Sequence, residues 1–205
     1  MRRMATLLAA ASLCTGCLGS VLQPGSEARD MYRLTAPAGS ATRQPLALAI
    51  SVARPRSAYS LDSDRIAVVK PDHGFDYLAS ARWAEPAPQM VQQLLVSALA
   101  ADGGFAAAVA APSRVPTDLL LDVELRQFEA VYADVDAPPR VRVGLQAILV
   151  DSRRGVRIAS FETGAEAVAG RNDRRSVLAA FQQASDAALR DTVIRVREAA
   201  AGFAR

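Results

Sequence analysis

The sequence is poor in the side chains that most often carry chemistry or covalent cross-links. Among 205 residues it has two cysteines, one histidine and one tryptophan, and Lys70 is its sole lysine. Both cysteines lie near the amino terminus, at positions 14 and 17, so the remaining chain has no pair that could form a disulfide. The stability of the fold must therefore come from packing.

Motifs of the common hydrolytic, metal-dependent and nucleotide-binding enzymes are also missing. There is no Gly-x-Ser-x-Gly elbow, no His-Glu-x-x-His, no phosphate loop and no dinucleotide glycine signature. His73 lies in a predicted turn, where a solvent-facing role competes with a catalytic one that would need a nucleophile nearby. Asp62 and Asp64 could bind a divalent ion or cap a turn, and the missing further ligands favour the cap. The sequence predicts no enzyme, no metal site and no cofactor.

A strong charge imbalance is absent as well. Formal net charge is +3, and removal of Arg2 and Arg3 with a leader leaves 22 basic against 21 acidic side chains. A nearly neutral chain lacks the field that attracts nucleic acid, so no nucleic-acid partner is expected.

The sequence opens with a short apolar run that has the layout of an export signal. Arg2 and Arg3 are followed by about ten apolar residues, half of what a bilayer span requires. The run ends in Thr15-Gly16 directly before Cys17. Residues 1–16 are therefore predicted to be a cleaved signal peptide.

The segment that ends at Cys17 resembles the lipobox of bacterial lipoproteins, although Cys14 stands where leucine is usual. The resemblance implies a diacylglycerol group on the Cys17 thiol and an acyl chain on its amino group, which together make a strong anchor. Leu18 replaces the aspartate that commonly retains such proteins at the inner membrane, which favours the outer membrane. The alternative is an ordinary signal followed by an incidental cysteine.

The chain after the anchor divides into a tether and one domain. Residues 17–31 contain glycine, serine and proline without a clear period, which is typical of a flexible tether. Residues 32–205 are predicted to form a single compact α/β (α+β) domain, with a mixed, mostly antiparallel sheet and two main helices packed on one face. Period-two alternation or apolar runs predict the strands, and three- and four-residue spacing predicts a helix from Pro86 to Asp102 and another from about Asp173.

Two strand signals are specific enough to test. Residues 65–69 and 75–77 flank a turn and predict a hairpin. From Leu119 to Tyr132 the alternation changes parity, which predicts a β-bulge near Arg126-Gln127.

Trp83 and Arg82 are the candidate interface residues. Trp83 precedes the first helix, where it could anchor a partner or plug the corner between sheet and helix. Arg82 could form an ion pair with Glu85 beside it.

An ordered set of segments resembles the family of ABC-type transport auxiliary lipoproteins. The set comprises Tyr32-Arg33-Leu34, residues 59–68, Phe75-Asp76-Tyr77, residues 81–86, residues 128–132 and the closing helix. The resemblance implies a mixed α/β fold and a non-enzymatic periplasmic lipoprotein held at the outer membrane. Its implied partners are an MCE-domain protein and an ABC transporter permease and ATPase that move phospholipid or other hydrophobic molecules, and some members form rings. A structural or assembly lipoprotein of another envelope complex is the alternative, and a periplasmic hydrolase using Asp62, Asp64, His73 and Glu85 is a third.

Overall fold

The computed structural model describes residues 30–39 and 45–204. The described residues contain nine strands and two helices. In chain order these are β1 (Asp30–Tyr32), β2 (Leu46–Val52), β3 (Arg56–Ser57), β4 (Arg65–Val69), β5 (Phe75–Trp83), α1 (Ala87–Asp102), β6 (Phe105–Ala110), β7 (Leu119–Val131), β8 (Arg140–Asp151), β9 (Val156–Val168) and α2 (Arg174–Phe203). The predicted mixed α/β domain is confirmed.

β7 organises the sheet because it is longer than its parallel neighbours. One edge of β7 pairs along its length with antiparallel β8, which pairs in turn with antiparallel β9. Its other edge is shared by three short parallel strands: β2 at the start, β3 in the middle and β4 at the end. β2 continues to parallel β6, whereas β4 continues to antiparallel β5 and then β1. The sheet is therefore forked, and its longest ladders are antiparallel.

The predicted bulge in β7 is confirmed. The pairing of β7 with β8 shifts between Leu125 and Gln127. Leu125 and Phe128 can therefore both point into the core although they are three residues apart.

Both helices pack on the same face of the sheet. α1 contacts β2 and β6, α2 contacts β8 and β9, and the two helices touch each other. α1 follows Pro86 and ends at Gly103, whose φ of 67° suits a left-handed cap. α2 begins at Asp173, whose side chain accepts a hydrogen bond from the Ser176 amide, so the predicted N-cap is confirmed.

An aromatic cluster of Trp83, Phe128 and Phe181 joins α2 to the sheet. The Phe181 ring centroid lies 5.2 Å from that of Trp83 and 5.2 Å from that of Phe128. All three rings are buried. Phe128 lies on β7 and Trp83 is the last residue of β5, so the cluster packs both of these strands against α2.

β1 overlaps the end of the predicted tether. Asp30 and Met31, the last two residues of the predicted segment 17–31, pair with Ala81 and Arg82 of β5. A three-residue strand with two exposed residues leaves no period in the sequence, so the sequence pattern does not predict it.

Candidate functional site: an apolar cavity where the chain enters the domain

The chain enters the described domain at one definable end of the sheet. β1 runs parallel to β5, with Asp30 opposite Ala81 and Tyr32 opposite Trp83. β1 pairs with the last residues of β5, and Asp30 is the residue of β1 nearest Ala79 and the turn between β4 and β5. We call the region between Asp30 and this turn the tether end; it also holds the start of α2 and the β7–β8 loop, which a hydrogen bond from Asn172 to Val135 joins to each other.

Arg174 fixes the entry point. Its Nη2 lies 2.9 Å from Oδ2 of Asp30, and its Nη1 donates to the Ser80 carbonyl at 3.4 Å. The guanidinium also stands 5.9 Å from the Tyr32 ring centroid. One side chain of α2 therefore holds the first strand against β5.

An apolar cavity of about 530 Å³ opens beside this entry point. Its volume lies within the range of about 300–1,000 Å³ that is usual for small-molecule sites. The floor of the cavity is the helix-side face of β4, β5 and the end of β7, at a place that α2 does not cover. Val135, in the loop between β7 and β8, lies over this floor. The apolar lining consists of Val68, Pro71, Leu78, Ala79, Tyr132 and Val135.

The cavity has a few polar groups at its margin. Lys70 and Asp76 form an ion pair whose N···O distance is 2.5 Å. The hydrogen bond from Lys70 lowers the pKa of Asp76 and, in return, the bond to Asp76 raises the pKa of Lys70. Asn172 donates through Nδ2 to the Val135 carbonyl at 2.9 Å and so fixes the covering loop. These bonds give the cavity a defined wall.

Tyr132 brings a phenol into the apolar lining. Burial raises the pKa of the Tyr132 hydroxyl, so the group stays neutral at physiological pH. A neutral hydroxyl can donate a hydrogen bond to an ester or phosphate oxygen of a bound molecule.

Basic side chains border the cavity on the α2 side. A second, open cavity of about 670 Å³ is lined by Tyr32, Arg171, Asp173, Arg174, Arg175 and Leu178. Arg171 lies 3.1 Å from Asp173, whereas among the described residues no ion-pair partner is found for Arg175. The short segment 171–174 contributes to both cavities, because Asn172 lines the first and its neighbours line the second.

A row of residues crosses the sheet at the same end. It consists of four apolar residues and one arginine: Phe75, Val69, Val131, Arg140 and Val168. Phe75 is 44% exposed, but it is not part of the cavity lining and it alternates along β5 with Asp76, which is. Val135, which does line the cavity, is 72% exposed and gives the cavity an apolar border.

The two candidate interface residues separate in the structure. Trp83 is 1% exposed and lies in the aromatic cluster, which fits the interpretation as a plug and leaves no ring surface for a partner. Arg82 remains partly exposed, but its expected pairing with Glu85 is wrong. Its Nη1 lies 2.9 Å from Oδ2 of Asp64 instead, because the β4–β5 pairing places Arg65 opposite Arg82.

His73 is separated from Asp62 and Asp64, two of the other residues considered for a hydrolase. His73 occupies the turn after β4, where its amide donates to the Lys70 carbonyl. Asp62 pairs with Arg54 and Asp64 with Arg82, near the opposite end of β5 from His73. Within residues 30–39 and 45–204 no group of three His, Cys, Asp or Glu side chains could hold a metal ion.

Cys17 and the predicted signal peptide lie outside the described residues, as does most of the predicted tether. No helix in the described part of the chain is long and apolar enough to cross a membrane. Sequence reasoning missed the cavity, whose lining comes from four separate segments. The apolar Pro71 and Val135 within otherwise polar loops were the one local signal of it.

Comparison with known proteins places the chain in a family. The family model for the ABC-type transport auxiliary lipoprotein component matches residues 32–193. A crystal structure of a Xanthomonas campestris protein of the DUF330 family is similar, with a TM-score of 0.77, 26% identity, and coverage of 85% of this chain and 98% of that one. The crystal structure of an uncharacterized protein has a TM-score of 0.63 at 15% identity and covers 81% and 97%, which shows a shared fold. Among curated proteins none matches the sequence significantly.

The chain belongs to the ABC-type transport auxiliary lipoprotein family, since the match spans nearly the whole described domain. Its class is therefore that of a lipoprotein component of an ABC-type transport system.

Proposed function

We propose that this protein is a non-enzymatic accessory subunit of an ABC transport system that carries an MCE-domain protein. It is anchored through Cys17 to the periplasmic face of the outer membrane, and the system moves phospholipid or other hydrophobic molecules between the two membranes. The observation that carries this proposal is the family match over residues 32–193. The apolar leader before Cys17 and the apolar cavity at the tether end support it.

The geometry suits an adaptor. Twelve residues separate Cys17 from Asp30, and a chain of this length reaches about 40 Å when fully extended. The chain therefore enters the domain at the tether end, where Ala79 of the cavity lining lies two residues before Ala81, the partner of Asp30. An adaptor held in this way can present the same end to a membrane or to the end of a conduit.

A matched pair of cysteine variants tests the anchor. Cys17→Ser should abolish acylation, release a folded protein into the periplasmic extract and stop transport by delocalisation. Cys14→Ser should leave anchoring and transport unchanged, because residue 14 is removed with the signal peptide. Mass spectrometry of the mature amino terminus and fractionation of the envelope provide the readouts, and an unmodified Cys17 sulfur in the wild type would contradict the proposal.

Affinity purification tests the partners. The wild-type protein should bring down an MCE-domain protein together with a permease and an ATPase. Recovery of a different envelope complex would favour a structural or assembly lipoprotein instead. A homo-oligomeric ring stays a prediction, and native mass spectrometry of the purified protein measures it.

A further inference from the structure

We propose that the apolar cavity at the tether end binds one acyl chain of a membrane phospholipid, with the phosphate of its headgroup at Arg175 and Arg171. This inference deepens the proposed transport role and depends on it. It gives the domain direct contact with the hydrophobic cargo, in addition to contact with protein partners. The occupant is a phospholipid taken from the bilayer to which the chain is tethered.

The position of the cavity supports this choice of occupant. Ala79 lines the cavity and lies two residues before Ala81, which pairs with Asp30. Ser80, between these two residues, accepts a hydrogen bond from Arg174, which also binds Asp30, so the chain enters the domain beside the cavity lining. The twelve-residue tether keeps this end within about 40 Å of the anchor. Lipid from the same leaflet is the most concentrated apolar ligand within that reach.

The shape and polarity of the cavity match an amphiphile. The cavity is apolar along Val68, Leu78 and Ala79, where an acyl chain would lose water-exposed surface. The neutral Tyr132 hydroxyl lies in the same lining and can donate to an ester oxygen. A wholly apolar ligand would leave that hydroxyl without use.

The charges beside the cavity match an anionic headgroup. Arg171, Arg174 and Arg175 line the neighbouring open cavity, against two aspartates, Asp30 and Asp173, that pair with the first two of them. Arg175 has no ion-pair partner among the described residues, so its guanidinium is available to a ligand in this cavity. A phosphate at this place sits next to Asn172, which lines the first cavity, so the headgroup and one acyl chain of the same lipid can lie on the two sides of this residue.

Val135 gives the lipid a route. It lines the cavity and is largely exposed to solvent in the isolated domain. Placed against the interfacial region of a bilayer, this side chain would be buried and the cavity mouth would open towards the acyl chains.

The test uses the mature, acylated full chain in vesicles that contain a phospholipid with a photoreactive group near the end of one acyl chain. After illumination, peptide mass spectrometry should locate the label in residues 68–79 and 132–135. Ala79→Trp fills the mouth of the cavity from an exposed position and should reduce labelling at least about tenfold, the loss that corresponds to about two buried methylenes. Ala106→Trp, an exposed alanine on edge strand β6, is the matched control and should label like the wild type.

Two further variants separate the apolar and the charged parts. Val135→Asp, in an exposed loop, should also reduce labelling. Because this substitution does not alter β5, it shows whether the effect of Ala79→Trp comes from a filled cavity or from a disturbed strand. Arg175→Glu should reduce labelling about fivefold on phosphatidylglycerol vesicles and much less on phosphatidylcholine vesicles. Arg190→Glu, an exposed arginine further along α2, is its control and should have no such effect.

Three outcomes would overturn the inference. Absence of labelling in the wild type would mean that the chain's own anchor or a partner protein fills the cavity. Equal labelling of wild type and Ala79→Trp would mean that lipid contacts another surface. Displacement of the label by inorganic phosphate, with no effect of Ala79→Trp, would mean a free-phosphate site. If Ala79→Trp lacks lipid binding but still copurifies with the transporter, the inference stands within the proposed function; if neither variant nor wild type copurifies, the proposed function fails separately.

Discussion

Replacing Phe181 by alanine tests whether the aromatic cluster holds α2 to the sheet. Phe181 is fully buried and its ring lies 5.2 Å from those of Trp83 and Phe128. Removing a buried phenylalanine costs about 3–5 kcal/mol of unfolding free energy. Each lost aromatic pair adds about 0.5–1.5 kcal/mol beyond the buried area, which places this variant in the upper half of that range, at about 4–5 kcal/mol. Against a total stability of about 5–15 kcal/mol, the variant should be severely destabilised but measurable.

Trp83 supplies the assay, because it is the sole tryptophan of the chain and is itself in the cluster. Its fluorescence should report urea unfolding directly. With a denaturant slope of about 2 kcal/mol per molar, the Phe181→Ala midpoint should fall by about 2 M. Phe203→Ala, at the exposed end of the same helix, is the control and should change stability by less than about 0.5 kcal/mol.

A loss below about 1 kcal/mol for Phe181→Ala, with an unchanged slope, would refute this reasoning. It would mean that the cavity left by the ring collapses freely, or that α2 is held by its contacts with β8 and β9 alone. A changed denaturant slope would instead indicate an altered denatured state. Thermal unfolding of the variant and the wild type would then measure the loss of stability.

Two further predictions concern a helix cap and a surface ion pair. Gly103→Ala should lower the free energy of unfolding by about 1 kcal/mol, because φ is 67° at this position. Gly202→Ala, within α2 and with open space around it, should raise the free energy of unfolding by about 0.5 kcal/mol. Thermal unfolding of both variants checks this, and equal shifts in the same direction would contradict it. Lys70→Met should raise the pKa of Asp76 towards the ordinary carboxyl value, measured by NMR titration. Since the pKa of Asp76 is lowered in the fold, the stabilisation from this pair is present above the unfolded carboxyl pKa and is lost as the pH falls through the folded one; the variant and the wild type should therefore differ near neutral pH and converge in acid.

The sequence could predict the elements in which one face is buried and the other is exposed, because burial then selects apolar residues at regular positions. β8 alternates without interruption because its helix-side residues, such as Val143 and Leu145, are buried under α2. The bulge at Arg126-Gln127 was visible because the same burial forces the alternation to slip. In β7 and β8 the pattern of apolar residues in the sequence therefore follows the pattern of burial in the structure.

Other features depend on distant parts of the chain and leave no local pattern. β1 and β3 have three and two residues, too few for any period, and exist because β5 and β7 offer them an edge. Arg82 binds Asp64 because strand pairing, not sequence spacing, sets which charges meet. The cavity likewise depends on where four segments end relative to one another.

The forked sheet explains why a cavity exists at the tether end. The last residues of β7, up to Val131, are paired by β4, and the backbone of Tyr132 extends this pairing through a 2.9 Å bond to the Val69 carbonyl. α2 begins only at Arg174, and the first buried residue on it is Val177, so the helix does not cover the β4–β5 branch beyond that point. Val68 and Leu78 therefore keep an apolar face over which only the Val135 loop closes. The uncovered face ends close to the entry of the chain, because Ala79 lines the cavity and β1 pairs with β5 from Ala81 onwards. The entry point and the cavity therefore both depend on β5, which pairs with β1 at one end and lines the cavity before it.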